Sequence, residues 1–253
     1  MRLLLLLPLL CCANILCAQI VNIEEMRISG TVDTLHWYGA INAAFDATKV
    51  QESTSDFHAD VKIQYKKKRN IFLLLLNSEV LRAGDQDFVN TAFAHLRYNY
   101  KMTPKLSLEC YVQQQSNRLL LMQSRSLAGI GLRRRIFTND LKFLRLYLGS
   151  AYLFENNVFT ENYGSKNWNR ISNYLSFTLR SDKYKTVLNS TTYWQPAIGM
   201  IKNYRLSTSW SLALPIGKHL SFNTSFSYSV DRGLPQAAPL EVYNWQNGLG
   251  WQF

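Results

Sequence analysis

Leu220-Ser221-Phe222-Asn223-Thr224-Ser225-Phe226-Ser227-Tyr228-Ser229-Val230 is the stretch whose reading decides the fold. Leu220, Phe222, Thr224, Phe226, Tyr228 and Val230 fall on one side of an extended chain, and four serines and Asn223 on the other. Side chains alternate across a strand with period two, so this is a strand with one apolar and one polar face. A soluble sandwich would produce the same alternation once. Its repetition along the chain, with a second face that stays polar, separates the two readings.

The repetition is extensive. Tyr243, Trp245, Leu249, Trp251 and Phe253 share a parity, as do Tyr204, Leu206, Trp210, Leu212 and Leu214. Leu144, Leu146, Leu148, Tyr152 and Phe154 form another such set. Ala92, Ala94, Leu96, Tyr98 and Tyr100 oppose Phe93, His95, Arg97 and Asn99. Leu106, Leu108, Cys110 and Val112 oppose Glu109, Tyr111, Gln113 and Gln115. About twelve strands are expected, over 35–46, 57–66, 70–78, 90–100, 105–116, 125–135, 142–155, 169–180, 184–195, 203–214, 219–230 and 242–253. Many have the roughly 9–11 residues that a tilted strand needs to cross a bilayer. Parity is blurred over 70–78, 169–180 and 184–195, which leaves ten or fourteen strands open.

Mean hydropathy is only −0.15. The longest strongly apolar run past the N-terminal segment is Ile71 to Leu76, too short for a spanning helix. Only helices and closed barrels satisfy their backbone groups inside a bilayer. A membrane address for this chain therefore means a barrel, whose alternating strands look soluble on a hydropathy average.

The links point the same way. Lys67-Lys68-Arg69-Asn70, Met102-Thr103-Pro104, Thr138-Asn139-Asp140, Ser181-Asp182-Lys183 and Pro215-Ile216-Gly217 carry tight-turn chemistry. Longer polar links are expected between them, at Thr48–Asp56, Glu79–Val89, Asn117–Ser124, Asn156–Trp168, Pro196–Lys202 and Asp231–Glu241. Bacterial outer-membrane barrels have short periplasmic turns and longer extracellular loops. That assignment places both termini in the periplasm and makes the strand number even.

The chain opens with Arg2, then an apolar stretch from Leu3 to Leu10, then Leu16-Cys17-Ala18-Gln19. This is the layout of a secretory signal, with cleavage expected after Ala18 or Gln19. Residues 1–19 are read as signal peptide, 20–34 as a short periplasmic leader, and 35–253 as a single barrel domain. Cys11, Cys12 and Cys17 leave with the signal, so Cys110 has no internal disulfide partner. The net charge of +11 invites a nucleic-acid reading. The cations are spread over strands and turns of a secreted chain, and no nucleic-acid partner is expected.

Gln246-x-Gly248-x-x-Trp251-x-Phe253 matches the C-terminal pattern of outer-membrane barrels, and Gln246, Gly248, Trp251 and Phe253 are read as an assembly signal. The expected partners are outer-membrane lipids, lipopolysaccharide and barrel-assembly machinery, with the chain a monomer.

Apolar positions then face lipid, with Tyr98, Tyr100, Trp210, Trp245, Trp251 and Phe253 suited to the aromatic girdles. His95, Arg97, Glu109, Tyr111, Gln113, Gln115, Arg133, Arg145, Glu155 and Arg205 line the lumen, as a brace that fills it or as a selectivity lining. Pairing the strands around Thr103 sets Tyr98 opposite Leu108, Leu96 opposite Cys110, Arg97 opposite Glu109 and His95 opposite Tyr111. A luminal Arg97–Glu109 ion pair follows.

Catalytic chemistry is thin. His219-x-Ser221 has a spacing similar to that used by lipid A deacylases, but it lies beside the Pro215–Gly217 turn, at the end away from the outer leaflet. His36, His58 and His95 stand apart from one another, and no phosphate-binding loop is present. Glu79, Asp85 and Asp87 are expected in one loop, without the ligand spacing of a calcium loop. The Lys66–Arg69 run suits the inner headgroups. No cofactor, metal site or catalytic residue is assigned.

The whole chain past the signal resembles a family of small outer-membrane barrels of unknown function, including those called salt-induced outer-membrane proteins. The resemblance is carried by Ile20-Val21-Asn22-Ile23-Glu24, Phe93-Ala94-His95-Leu96-Arg97-Tyr98-Asn99-Tyr100, Glu109-Cys110-Tyr111-Val112-Gln113 and Arg125-Ser126-Leu127-Ala128-Gly129-Ile130-Gly131-Leu132-Arg133. Asn173-Tyr174-Leu175-Ser176 and Tyr193-Trp194-Gln195-Pro196 extend it. It implies a barrel, an outer-membrane address and no established activity. The expected function is non-enzymatic: envelope integrity, or a narrow passive pore for small solutes. A lipid-modifying enzyme and a loop-mediated surface binder are the alternatives.

Overall fold

The computed structural model describes residues 36–49, 53–84, 86–138, 144–160, 163–181, 186–217 and 219–251. Period-two alternation becomes twelve strands: β1 (Trp37–Lys49), β2 (Ser53–Lys67), β3 (Asn70–Ala83), β4 (Gln86–Lys101), β5 (Leu106–Asn117), β6 (Met122–Thr138), β7 (Leu144–Phe159), β8 (Ser165–Ser181), β9 (Thr186–Ala197), β10 (Met200–Pro215), β11 (Leu220–Asp231) and β12 (Glu241–Trp251). They form one sheet in sequence order, and each pairs antiparallel with the next. The fold is an all-β, up-and-down barrel of twelve strands. The signal peptide, the leader and Phe253 lie outside the described residues.

The sheet is rolled, and side chains prove it. Arg125 of β6 reaches Asp231 of β11 at 2.8 Å, and Arg205 of β10 reaches Glu155 of β7 at 3.1 Å. Tyr174 of β8 donates to Glu109 of β5 at 2.8 Å. Strands three to five places apart in one sheet touch only across a concave interior. Among the described residues no ladder joins β1 to β12.

The faces divide as the alternation requires. Trp37, Ile41, Phe45, Leu96, Val112, Ile130, Leu148, Trp194, Tyr243, Trp245 and Leu249 are exposed on the outside. Blurred parity in β3 has a cause: Leu73 and Leu75 turn inward and bury against Phe93, so both faces of this strand are apolar.

Three expectations need correction. The Thr103 hairpin pairs two residues further along than the tight turn implies: Arg97 lies opposite Tyr111, His95 opposite Gln113, Leu96 opposite Val112 and Tyr98 opposite Cys110. The Thr103 hydroxyl accepts from the backbone N–H of Lys105 (3.2 Å) and Leu106 (3.0 Å), holding a longer link over 102–105. A two-residue shift leaves every side chain on its expected face. Most links expected to be long are instead taken up by strand: β3 and β4 are separated only by 84–85, and β9 and β10 by 198–199. Strands accordingly reach 17 residues in β6 and β8. The substantial links at this end are 118–121, 160–164 and 232–240. Finally, Glu79 and Asp87 are strand residues of β3 and β4, not loop acids, and Asp85 lies outside the described residues.

Candidate functional site

Register carries one set of side chains into the concave interior. Gln115 and Arg125 are opposite each other, followed by Gln113 with Leu127, Tyr111 with Gly129 and Glu109 with Gly131. Leu127 continues to Glu155, and Arg205 lies between Gln195 and Asp231. All ten residues read from the sequence as lumen-lining have this inward parity. His95, Arg97, Glu109, Gln115, Glu155 and Arg205 are buried, while Tyr111, Gln113, Arg133 and Arg145 are half-buried.

The interior holds two ionic clusters. The first lies toward the end that carries the 160–164 and 232–240 links. Glu155 accepts from Arg170 Nε (2.9 Å) and Arg205 Nη2 (3.1 Å). Asp231 accepts from Arg205 Nε (3.0 Å) and Arg125 Nη2 (2.8 Å). Each of these five side chains is at most 4% exposed. Other donors are engaged too: Arg125 Nε donates to Asn157 Oδ1, and Arg170 donates to the Gln195 and Asn203 carbonyls and to Asn203 Oδ1. Backbone N–H of Gly233 closes on Asp231. Pairing and hydrogen bonding of this kind make buried charge tolerable.

Above this network sits an apolar cap. Leu120, Met122, Phe159, Leu234 and Ala238 bury together, drawing the 118–121 and 232–240 links over the interior. Asn117 caps the short 3-10 turn Arg118–Leu120 by accepting from Leu120 N–H, and Leu121 adopts a positive φ to end it.

The second cluster centres on Glu109. The expected Arg97–Glu109 pair is present at 3.7 Å, diagonal to the register rather than across it. Arg133 stands 3.9 Å from the other Glu109 oxygen and lies over the Tyr147 ring at 3.9 Å. Arg97 lies over Tyr111 at 5.0 Å, and His95 meets Gln113 at 3.1 Å. Two glycines make room: a Cβ at Gly129 would overlap the Tyr111 ring, and one at Gly149 the Tyr174 ring. Both aromatic rings can therefore lie flat against the wall.

A third group lies on β2 and β3, where His58 pairs with Asp60 and Asn77 donates to Asp60 at 2.7 Å. Among the described residues no group of three or more His, Cys, Asp and Glu is placed to hold a metal.

Arg125, Arg170, Asp231 and Tyr174 were not singled out from the sequence. Asp231 was expected in a link, and Arg125 and Arg170 at the very start of their strands, whereas β6 and β8 begin earlier, at Met122 and Ser165. The signal shared by the three charged ones is inward parity at the same end of β6, β8 and β11. His219 and Ser221 do not assemble into a catalytic pair. The His219 ring stacks on Trp251 at 5.8 Å, and Ser221 donates to the Gly250 carbonyl at 3.3 Å. Gln246 and Gly248 of the C-terminal pattern face inward on β12, and Trp251 faces outward.

No curated protein matches the chain. Among solved structures it is similar to one described as the NanC porin in a rhombohedral crystal form, at 9% identity and a TM-score of 0.48, covering 86% of this chain and 98% of that one. Over residues 41–241 the chain matches the family model described as a protein of unknown function, DUF481, and it belongs to that family.

Proposed function

We propose that this protein is a bacterial outer-membrane barrel that serves envelope integrity, with an interior braced shut rather than held open. One observation carries the reading. Five charged side chains from β6, β7, β8, β10 and β11 join into a single network at no more than 4% exposure, beneath an apolar cap. Arg170 and Arg205 direct most of their donors to Glu155, Asp231, Gln195 and Asn203, and Arg125 directs two nitrogens to Asn157 and Asp231, which leaves few for a passing solute. Barrels of about eight strands are filled by side chains and those of about sixteen leave a channel; in this twelve-stranded barrel arginines that reach across the interior do the filling.

A narrow passage is the second reading, favoured by the opposite wall. There Asn42, Ala44 and Asp46 of β1 and Gln246 of β12 face inward and are exposed. The reading includes an outer-membrane address, periplasmic termini, cleavage of a signal near Ala18 or Gln19, and no catalysis. Single-channel recording of the refolded protein in a planar bilayer tests it. A silent, folded barrel is expected. Steady openings in the unmodified protein would overturn the closed interior and favour the passage.

A further inference from the structure

The outer wall of β3 to β7 carries a groove that the lumen does not explain. It encloses about 420 Å³, within the range of about 300–1,000 Å³ typical of small-ligand sites. Register shows how it arises. One outward row runs Leu74, Leu96, Val112, Ala128, Phe154, and the next row toward the cap runs Ala94, Gln114, Ser126, Asn156. Ala94 and Ala128 leave a depression between larger neighbours, so the floor is apolar. Its rim on the cap side is polar and uncharged. Ser126 donates to Gln114 Oε1 at 2.5 Å, and Asn156 donates to Asn167 Oδ1 at 2.5 Å. This leaves the Gln114 amide hydrogens as donors and Asn156 Oδ1 as an acceptor, with no partner among the described residues.

We infer that this groove binds one acyl chain of an outer-leaflet glycolipid of the lipid A type, with the Gln114–Ser126–Asn156 row gripping the polar root of that chain. The inference rests on the outer-membrane reading, with the capped end facing outward. Lipid hydrocarbon is as apolar as leucine, so burying a chain here gains little from leaving bulk lipid. Shape and hydrogen bonding must supply the preference. A phosphate would seek cations, and the groove has none. Ester carbonyls of an ordinary phospholipid only accept. Acyl chains rooted in amides and bearing hydroxyls both donate and accept, as this rim does.

The test uses the full mature protein in vesicles of phosphatidylethanolamine and phosphatidylglycerol, with and without lipid A. Lipid retained through detergent extraction and purification is quantified by mass spectrometry, and folding is checked by heat-modifiable gel migration. The unmodified barrel is expected to retain lipid A in preference to phospholipid. Ala128→Leu, which fills the groove on a lipid-facing position, and Gln114→Leu are each expected to cut that retention about tenfold, roughly the factor one ordinary hydrogen bond supplies. Thr192→Leu, outward on β9, is the control and should retain lipid A normally. Equal retention by Ala128→Leu and Gln114→Leu overturns the inference, as does a groove occupied indifferently by phospholipid. If Ala128→Leu fails to fold, Gln114→Leu decides alone. Conductance plays no part in this readout, so the braced interior and the lipid site stand or fall separately.

Discussion

Replacing Asp231 by asparagine keeps the shape of the interior and removes one charge. Asp231 binds Arg125 Nη2 at 2.8 Å, Arg205 Nε at 3.0 Å and Gly233 N–H at 2.9 Å. Afterwards three arginines share the single carboxylate of Glu155. Breaking a buried ion pair from one side costs about 3–5 kcal/mol, because the partner is left charged without compensation. With a urea dependence of about 3 kcal/mol per molar, the folded midpoint should fall by about 1 M or more. Urea titration of the refolded protein in vesicles, followed by tryptophan fluorescence, reads the shift. Arg125→Gln in the same chain removes the surplus cation, and about 1–3 kcal/mol of coupling should return in the double-mutant cycle. In a planar bilayer Asp231→Asn should also admit intermittent current, since its amide oxygen can still accept from Gly233 but its amide N–H group then faces Arg125 and Arg205 and loosens the network beneath the 232–240 link. An unchanged midpoint, or single-variant costs that simply add, would refute the account of the network as the brace of the interior.

Three further outcomes follow from the same geometry. Glu109→Gln should cost less than Asp231→Asn, about 1–2 kcal/mol by urea titration, because its arginines stand at 3.7 and 3.9 Å and the Tyr174 hydroxyl can still donate to an amide oxygen. Gly149→Val should displace the Tyr174 ring and destabilise the barrel by about 1–3 kcal/mol, whereas Gly248→Val, with open space around its Cβ position, should change little. A chain ending at Leu240 lacks β12 and should lose the fast-migrating, heat-modifiable form on gels. Survival of that form would show that β12 is dispensable for closure.

How far the fold was legible depends on the range of the interaction concerned. Period two is local, so all twelve strands, and the inward face of His95, Arg97, Glu109, Glu155 and Arg205, could be read directly. It blurred where both faces are apolar, as at Leu73 and Leu75, and over 169–180 and 184–195, where polar residues such as Ser172 and Asn173, or Thr191 and Thr192, fall on both faces. Register is set by turns, and the Thr103 hydroxyl moved it by two residues without changing any face. The partnership of Arg125 with Asp231 spans 106 positions and exists only because the sheet rolls. Nothing in local alternation reports that curvature. Strand ends suffered most: Asp231 looked like a link residue because charged, polar sequence continues past the depth that lipid requires.

The interior is not uniform, and its asymmetry makes a prediction opposite to that of the chain's overall charge. A net charge of +11 suggests anion preference in any current that flows. Yet the inward arginines Arg97, Arg125, Arg170 and Arg205 are buried and bonded on β4, β6, β8 and β10, and charges so engaged and screened by neighbours act weakly on a distant ion. The exposed and half-exposed inward positions on the other wall carry Asp46, Asp56, Asp60 and Glu79 against Lys62, Lys66 and His58. An ion is steered by the charges lining its own path, not by the sum over the protein. Current through Asp231→Asn in a potassium chloride gradient should therefore reverse at a potential favouring cations, and Asp60→Asn with Glu79→Gln should weaken that preference. An anion-selective reversal potential would place the path among the arginines instead and would require the network to open as a whole.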